Sequence, residues 1–168
     1  MKKSVLRGII NRFLGLLARF LPGATTIRPA LHRLRGVKIM GKVFIGDDVY
    51  LENEYPENIE IQEGAQVTLR CVLIAHTRGP GKIVIGKNAF IGTNCVISAS
   101  PGRTLTIGEG AVVTASTVVS SDVPSHTLFG VPKGQPLAMV TVPLTMETSY
   151  EQFLDGLKPL RSTNGKGK

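Results

Sequence analysis

A branched aliphatic residue recurs at every sixth position, in four groups of three, between residues 39 and 119. A period of six fits neither an α-helix, which repeats after about 3.6 residues, nor an isolated strand, whose side chains alternate. It is typical of short strands wound around a prism, where one aliphatic side chain per side points to the axis. The twelve positions are Ile39, Ile45, Leu51, Ile61, Val67, Leu73, Ile85, Ile91, Ile97, Ile107, Val113 and Val119.

A second position lies four residues after each aliphatic, and nine of its twelve residues are small or β-branched. Such residues fill the corners of a narrow prism, and the low aromatic content of 5% fits the same shape. The exceptions are Tyr55, Pro101 and, at a break in the repeat, Thr77. Cys71 and Cys95 occupy this inward position, which predicts buried free thiols in a reducing compartment rather than a disulfide.

The interruptions of the repeat predict where a functional edge lies. Between the groups of three, the spacing lengthens to ten, twelve and ten residues, from 51 to 61, 73 to 85 and 97 to 107. Three sides make one turn of a triangular prism, so the extra residues all leave it at one corner. We therefore predict four stacked coils with a single irregular edge, called the seam below. Loops on one edge of a solenoid usually mark its working face, and the middle loop contains His76.

Charge is concentrated in the N-terminal segment. Residues 1–38 contain nine Lys or Arg and no acidic residue, whereas residues 39–168 contain eleven basic and twelve acidic residues. The net charge of +8 therefore belongs to the first segment, and the predicted prism is nearly neutral. A nucleic-acid-binding domain more often spreads its basic residues over the folded surface, with aromatic residues among them. The charge distribution therefore argues against a nucleic acid as a partner.

Residues 5–21 predict an amphipathic helix that Pro22 and Gly23 end. Arg12 and Arg19 interrupt its apolar run, which argues against a signal peptide or a transmembrane helix. Two alternatives stay open. The helix packs its apolar face on the prism or on a neighbouring subunit, or residues 2–21 lie in a membrane interface with their basic side chains over anionic headgroups. In the second case, a short helix within residues 28–35 caps the prism.

The sequence thus predicts three segments: a basic helical segment (1–38), a β-solenoid (39–142), and a C-terminal short helix with a flexible tail (143–168). Ser149 to Leu157 form the expected short helix, with Thr148 or Ser149 as its N-cap. The polar stretch from Lys158 to Lys168 is rich in Gly and Lys, and we expect it to be disordered.

The chain resembles the hexapeptide-repeat, left-handed β-helix acyltransferases over roughly residues 37–136. It is most similar to the maltose and galactoside O-acetyltransferases and to the smaller enzymes of surface-polysaccharide biosynthesis. The resemblance is carried by His76 in the loop before a typical hexapeptide, by an exit motif and by four close repeats. The exit is Asp122-Val123-Pro124 followed by Gly130-Val131-Pro132, and the repeats are I-G-D-D-V-Y (45–50), I-G-K-N-A-F (85–90), I-G-T-N-C-V (91–96) and I-G-E-G-A-V (107–112).

The resemblance implies a left-handed parallel β-helix that forms a homotrimer, with acetyl-CoA bound in a groove between subunits and no metal. His76 matches the catalytic histidine. Thr93, after Gly92, matches the backbone N–H group that faces the thioester or oxyanion, and Ala115 matches a backbone contact to the pantetheine arm. Lys133 stands near the position of the basic residues that bind the CoA phosphates.

Other polar residues on the seam are candidates for substrate contacts. The first loop, Glu52 to Asn58, contains Asn53 and Asn58, which we expect on the acceptor side. Arg78 and Arg103 on the same edge could meet CoA phosphates or an anionic acceptor. Because the loop from His76 to Ile83 is shorter than in the sugar enzymes, the site is expected to be open. An open site suits a polymer or a lipid-linked glycan better than a small free sugar.

The chemistry requires a base for the acceptor hydroxyl, a donor for the oxyanion, and a fixed path for the pantetheine arm. A neutral imidazole suits the first task at cytoplasmic pH. The resemblance thus implies acetyl-CoA-dependent O-acetylation of a sugar hydroxyl in surface polysaccharide or glycolipid biosynthesis, in the cytoplasm or on the inner face of the cell membrane. The alternatives are N-acetylation of an amino sugar and a non-catalytic trimeric scaffold. A γ-type carbonic anhydrase is disfavoured, because the three histidines, His32, His76 and His126, lie far apart.

Overall fold

Three parallel sheets form the sides of a triangular solenoid in the computed structural model, which describes residues 5–132 and 134–160. The first side contains β1 (Lys38–Ile39), β4 (Ile59–Ile61), β7 (Lys82–Ile85) and β10 (Thr104–Ile107). The second contains β2 (Phe44–Ile45), β5 (Gln66–Val67), β8 (Phe90–Ile91), β11 (Val112–Val113) and β13 (Leu128–Phe129). The third contains β3 (Tyr50–Leu51), β6 (Val72–Ile74), β9 (Val96–Ser98) and β12 (Val118–Val119).

The register of the strands stacks the predicted aliphatic positions directly on one another. On the first side Ile39 pairs with Ile61, Ile61 with Ile85, and Ile85 with Ile107. All twelve positions are buried except Ile39, which lies on the first coil and is partly buried. The prediction of a parallel β-solenoid of about four coils is confirmed, and β13 adds the start of a fifth.

The inward corner positions are also filled as predicted. Nine of the twelve are buried, and the three that are not are Tyr55, Thr77 and Pro101. These three leave the repeat because each lies in one of the loops between coils. Cys71 and Cys95 are buried free thiols, as expected, and their Sγ atoms lie 3.0 and 3.1 Å from the carbonyl oxygens of Gly92 and Thr114.

Two edges of the prism are regular because each coil turns with one residue of positive φ. Between the second and third sides these residues are Asp48, Arg70, Asn94 and Ser116, and between the first and second sides they are Gly41, Gly64, Asn88, Gly110 and His126. Backbone hydrogen bonds join each turn to the next, as from Ser116 N to Thr93 O at 2.8 Å. The loops are therefore confined to the remaining edge.

The loops of the remaining edge stack on each other, which confirms the predicted seam. The second and third loops are bound through their backbones, from Gly102 N to Pro80 O at 2.9 Å and from Lys82 N to Arg103 O at 2.9 Å. A Cβ atom on Gly81 would lie 2.6 Å from Ser100 O, so this close approach requires glycine there.

Helix α2 (Ile27–Arg35) covers the first coil, as expected for the second basic stretch. Its buried side chains include Arg28, His32 and Arg35. Arg28 is 4% exposed, forms an ion pair with Asp47 and donates to the carbonyl oxygens of Leu21 and Ile45. The cap is therefore built from basic side chains whose donors satisfy the carbonyl groups at the end of the prism.

Helix α1 (Val5–Phe20) packs on α2 and on the third side, but it does so through its polar face. Its buried residues are Asn11, Gly15 and Ala18. Its large apolar side chains are exposed except for Leu14 and Leu17, which are partly buried, so the alternative in which the apolar face packs on the prism is wrong. None of the helices within the described ranges has both the length and the apolar character needed to cross a bilayer.

The chain from Pro132 onward forms a second compact unit. Within it, β14 (Ala138–Val140) pairs antiparallel with β15 (Leu157–Pro159), and α3 (Tyr150–Asp155) lies between them in sequence. Ser149 and Gln152 form a capping box, which confirms the predicted short helix and its N-cap. The expectation of disorder from Lys158 is wrong for Lys158 and Pro159, because both belong to β15; residues 161–168 lie outside the described residues.

Candidate functional site

His76 lies on the seam, two residues after β6, and its side chain is partly exposed. The loop that carries it is short and tightly closed. Gly81 N donates to Ala75 O at 2.7 Å, and His76 faces Pro80 in an isolated antiparallel bridge. Since Ala75 is buried in the core, the base of the loop is fixed and the imidazole stands on a rigid support.

The ring of Tyr55, in the first loop, packs against the imidazole of His76. Their centroids are 5.0 Å apart and the planes are tilted by 49°. Glu52 fixes this loop from inside, because its buried carboxylate accepts from the N–H groups of Glu54 and Tyr55 at 3.0 and 3.1 Å. A 3-10 turn, Pro56–Asn58, then leads the chain back to the first side. The first two seam loops therefore meet at the His76–Tyr55 pair.

Arg35 of the cap supports the first loop from below. It is 1% exposed, and its guanidinium donates to the carbonyl oxygens of Leu51 and Glu52 at 2.9 and 2.7 Å. Within α2, the same guanidinium lies 3.0 Å from Nδ1 of His32. Burial, together with the nearby Arg35 charge, lowers the pKa of His32 to about 3, so this histidine is neutral and has a structural role.

The predicted acceptor-side residues are brought to the seam, but Asn53 is already engaged. Its side-chain oxygen accepts from Arg35 at 2.6 Å, and its carbonyl oxygen accepts from Asn11 of α1 at 3.2 Å. Asn58 closes the 3-10 turn through its backbone N–H, 2.9 Å from Tyr55 O. Arg78 and Arg103 are exposed on the second and third loops. The acceptor role of these residues stays a prediction.

The residues predicted to contact the thioester lie on a different edge. Thr93 and Ala115 are exposed at the regular edge between the second and third sides, where they stack on successive coils. Gly92 is buried beside them, and its N–H donates to Val113 O at 2.8 Å, which occupies that donor. A Cβ atom on Gly92 would lie 2.6 Å from Ala115 N, so glycine allows this close stacking.

The third side separates these two edges within one chain. A strand and its flanking turn residues, about six in all, span on the order of 15 Å or more at about 3.3 Å per residue. Such a distance is too long for His76 and Thr93 of the same chain to act on one carbonyl carbon. The His76 edge of one chain and the Thr93 edge of another would have to meet, as the trimer implied by the resemblance would allow.

The other predicted or conspicuous groups lie elsewhere. Lys133 lies outside the described residues. His126 is on the regular edge between the first and second sides, and a hollow of about 530 Å³ on that same edge is lined by residues that include Lys42, Glu63 and Asn88. We give His76 more weight than this hollow, because none of the described residues that line the hollow is a histidine. Across residues 5–132 and 134–160, no group of three or more His, Cys, Asp or Glu is placed to hold a metal ion.

Two parts of the site were not expected from the sequence. In the sequence, Tyr55 is a large residue at a small position, and such an exception beside a break indicates a side chain that has left the core. Arg35 is one of several basic residues in its segment. Its burial depends on the cap that α2 forms, and the sequence has no repeat there to predict it.

The comparisons with known proteins agree with this fold. The Bacillus subtilis (strain 168) protein YvoF, which bears a provisional acetyltransferase name, is 33% identical over 91 residues. The aligned part is 51% of this chain and 49% of YvoF, so the chain spans about half the length of this relative. No family profile matches the chain.

Among solved structures, the hexapeptide-repeat-containing acetyltransferase VCA0836 of Vibrio cholerae has a TM-score of 0.52 at 22% identity, over 76% of this chain and 89% of that one. This chain has the same β-solenoid fold. The resemblance that the repeats indicate is thereby confirmed at the level of the fold. A maltose O-acetyltransferase of Clostridium difficile 630 matches this chain more weakly, with a TM-score of 0.49 at 16% identity over 76% and 82% of the chains, and has no bearing on function.

Proposed function

We propose that this protein is an acetyl-CoA-dependent O-acetyltransferase that acts on a sugar hydroxyl, with His76 as the general base. The observation that carries the proposal is the position of His76 on the seam, where Tyr55 packs against its ring at 5.0 Å. The acetyltransferase name of YvoF supports the reaction class. The proposed enzyme is a homotrimer, as the resemblance implies, in which the His76 edge of one chain would meet the Thr93 edge of another.

In the proposed reaction the acceptor oxygen attacks the thioester carbonyl while the imidazole of His76 takes the hydroxyl proton. The oxygen–acetyl bond forms, the carbon–sulfur bond breaks, and the imidazolium returns the proton to the departing thiolate. The products are the O-acetylated sugar and free CoA. The backbone N–H of Thr93 from a neighbouring chain would donate to the oxyanion, and a backbone donor needs no rearrangement to do so.

The acceptor in this proposal is a large or tethered glycan. The loop that follows His76 is closed by the Ala75–Gly81 hydrogen bond after only five intervening residues, so it has no arm that could fold over a small sugar. An open edge admits a polysaccharide or a lipid-linked sugar as easily as a monosaccharide. The acceptor then has to be positioned by contacts beyond the reacting hydroxyl.

A thiol-release assay tests this function. The purified full chain is incubated with acetyl-CoA and a panel of nucleotide sugars, lipid-linked sugars and polysaccharide fragments, and free CoA is measured. We expect acceptor-dependent release from at least one glycan class, and we expect His76→Asn to lower kcat by ~10²–10⁴, the usual contribution of a positioned general base.

The chain offers a matched control in His126→Asn. His126 is an exposed histidine on another edge, and Asn tolerates its positive φ of 54°. We expect this variant to keep the wild-type rate. Equal rates for His76→Asn and wild type would refute the catalytic assignment, and a folded chain that neither binds acetyl-CoA nor releases thiol would favour a non-catalytic scaffold.

A further inference from the structure

The outward face of α1 is a continuous apolar surface that no other helix or strand of the described residues covers. Val5 and Phe20, at its two ends, are 80% and 68% exposed. The surface, called the outer face of α1 below, consists of the exposed residues Val5, Leu6, Ile9, Ile10, Phe13, Leu16 and Phe20. At about 1.5 Å per residue, the 16-residue helix is about 24 Å long. An apolar patch of this extent usually marks an interaction site.

The helix is held in this orientation by specific polar contacts. Asn11 donates to Asn53 O at 3.2 Å, Arg12 pairs with Glu54 at 3.0 Å, and Arg19 donates to Asp48 Oδ1 at 2.8 Å. At the centre of the contact, Gly15 lies so close that an added Cβ would be 2.9 Å from Arg35. Turning the apolar residues inward would break all of these contacts, so the outer face faces away from its own chain.

The charge around this face favours an anionic surface as its occupant. Residues 1–46 contain ten Lys or Arg and no Asp or Glu. Three of the arginines, Arg12, Arg19 and Arg28, are paired with carboxylates, while the exposed Arg33 bonds only to the backbone oxygens of Ile39 and Gly41. A second copy of this chain would cover the face with its own α1 only by bringing two basic segments together, and the nearly neutral prism offers no opposite charge.

We propose that the outer face of α1 lies in the interface of a bilayer with anionic headgroups. Large apolar side chains enter the boundary between headgroups and acyl chains, and the surrounding excess of basic residues is attracted to the negative surface. The helix lies along the membrane, since its polar face is bound to the cap and the first coil. The arginines on the polar face of α1 bind the first coil and its loop, so they do not contact the headgroups.

This docking also places the candidate site near the membrane. Asn53 and Glu54, which bind α1, belong to the same loop as Tyr55, whose ring contacts His76. This step rests on the proposed function. If that function holds, the acceptor is a glycan carried by a lipid. The open seam would then receive the sugar of an acceptor whose lipid stays in the bilayer.

Co-sedimentation with vesicles tests the docking without any assay of activity. The full chain is mixed with phosphatidylcholine vesicles that contain either no phosphatidylglycerol or about 30% of it. Only the second set has a negative surface potential. We expect binding to the anionic vesicles and at least a tenfold loss of affinity in the double variant Phe13→Ser/Phe20→Ser. The matched control Val118→Ser/Leu128→Ser removes equally exposed apolar residues from the prism and should bind as wild type does.

Three results would overturn the proposal: wild type stays in the supernatant with both vesicles, the Phe13→Ser/Phe20→Ser variant still binds, or that variant changes from an oligomer to a monomer in light scattering. The last result would show that a second copy covers the face. His76→Asn should bind the vesicles like wild type, so a failure of the proposed reaction and a failure of the docking are distinguishable.

Discussion

The solenoid and helix α1 are both amphipathic, but they turn their apolar residues in opposite directions. In the solenoid, eleven of the twelve repeat aliphatics are buried around the axis. In α1 the buried residues are Asn11, Gly15 and Ala18, and most of the large apolar residues face outward. Periodicity therefore identifies the residues that share a face, while the neighbouring surface decides whether that face is inside.

The difference has a physical origin in the surface to which α1 docks. The first coil presents Asp48, and the first seam loop presents Glu54 and the carbonyl oxygen of Asn53. These groups are acceptors, and they match the arginine and asparagine side chains of the polar face of α1. An apolar face on the same surface would have left those acceptors without partners, which costs free energy.

The largest contrast is expected between two isoleucines that undergo the same change. Ile91→Ala in β8 removes fully buried methyl groups from the axis and should lower the free energy of unfolding by about 2–5 kcal/mol. Ile9→Ala in α1 removes a side chain that is 59% exposed, and we expect a change within about 0.5 kcal/mol. Urea denaturation of the two variants measures both. A comparable loss for Ile9→Ala would mean that the outer face is buried in solution.

The sequence predicted the solenoid well because its period is a direct record of geometry. Within each group of three, one aliphatic follows another after six residues, and three such sides complete one coil. The first aliphatics of successive groups therefore stack, so the register of Ile61, Ile85 and Ile107 could be derived in advance. The breaks likewise located the seam and His76. In these regions the local pattern and the tertiary packing carry the same information.

The rest of the site could not be predicted, because it depends on contacts between segments that have no repeat. The packing of Tyr55 on His76 joins two loops, and the burial of Arg35 joins the cap to the first of them. The orientation of α1 depends on acceptors some forty residues later in the chain. Such pairings follow from the fold as a whole and have no signature within one segment.

Helix α2, which covers the first coil and contacts α1, should make the stability of the protein depend on pH through its buried His32. Its pKa is lowered from 6.5 to about 3 by burial and by Arg35, so the unfolded chain binds a proton between these values that the folded chain does not. The contribution of His32 to the free energy of unfolding is therefore fully present above about pH 6.5. It falls as the pH decreases toward 3, by up to about 1.4 kcal/mol per pH unit.

Urea denaturation at several pH values tests this dependence. The variant His32→Asn lacks the titrating ring, and the difference in unfolding free energy between it and wild type should shrink or change sign as the pH decreases. His126→Asn, which changes an exposed histidine, serves as the control and should keep the wild-type profile. If all three proteins lose stability in parallel below pH 6.5, His32 is not neutral in the folded state.

The smallest expected effect concerns the polar attachment of α1 to the prism. Arg19→Gln removes the ion pair with Asp48, whose side chains are both 35% exposed, and should weaken the docking by about 0.5–1 kcal/mol after solvent screening. Arg12→Gln removes the more exposed pair with Glu54 and should have less effect. In hydrogen–deuterium exchange, the amides of α1 should exchange about two to five times faster in Arg19→Gln, while those of β8 stay protected. Faster exchange in β8 as well would show that α1 and the solenoid open as one unit. If the attachment is electrostatic, added salt should speed the exchange of the α1 amides in the wild type without affecting β8.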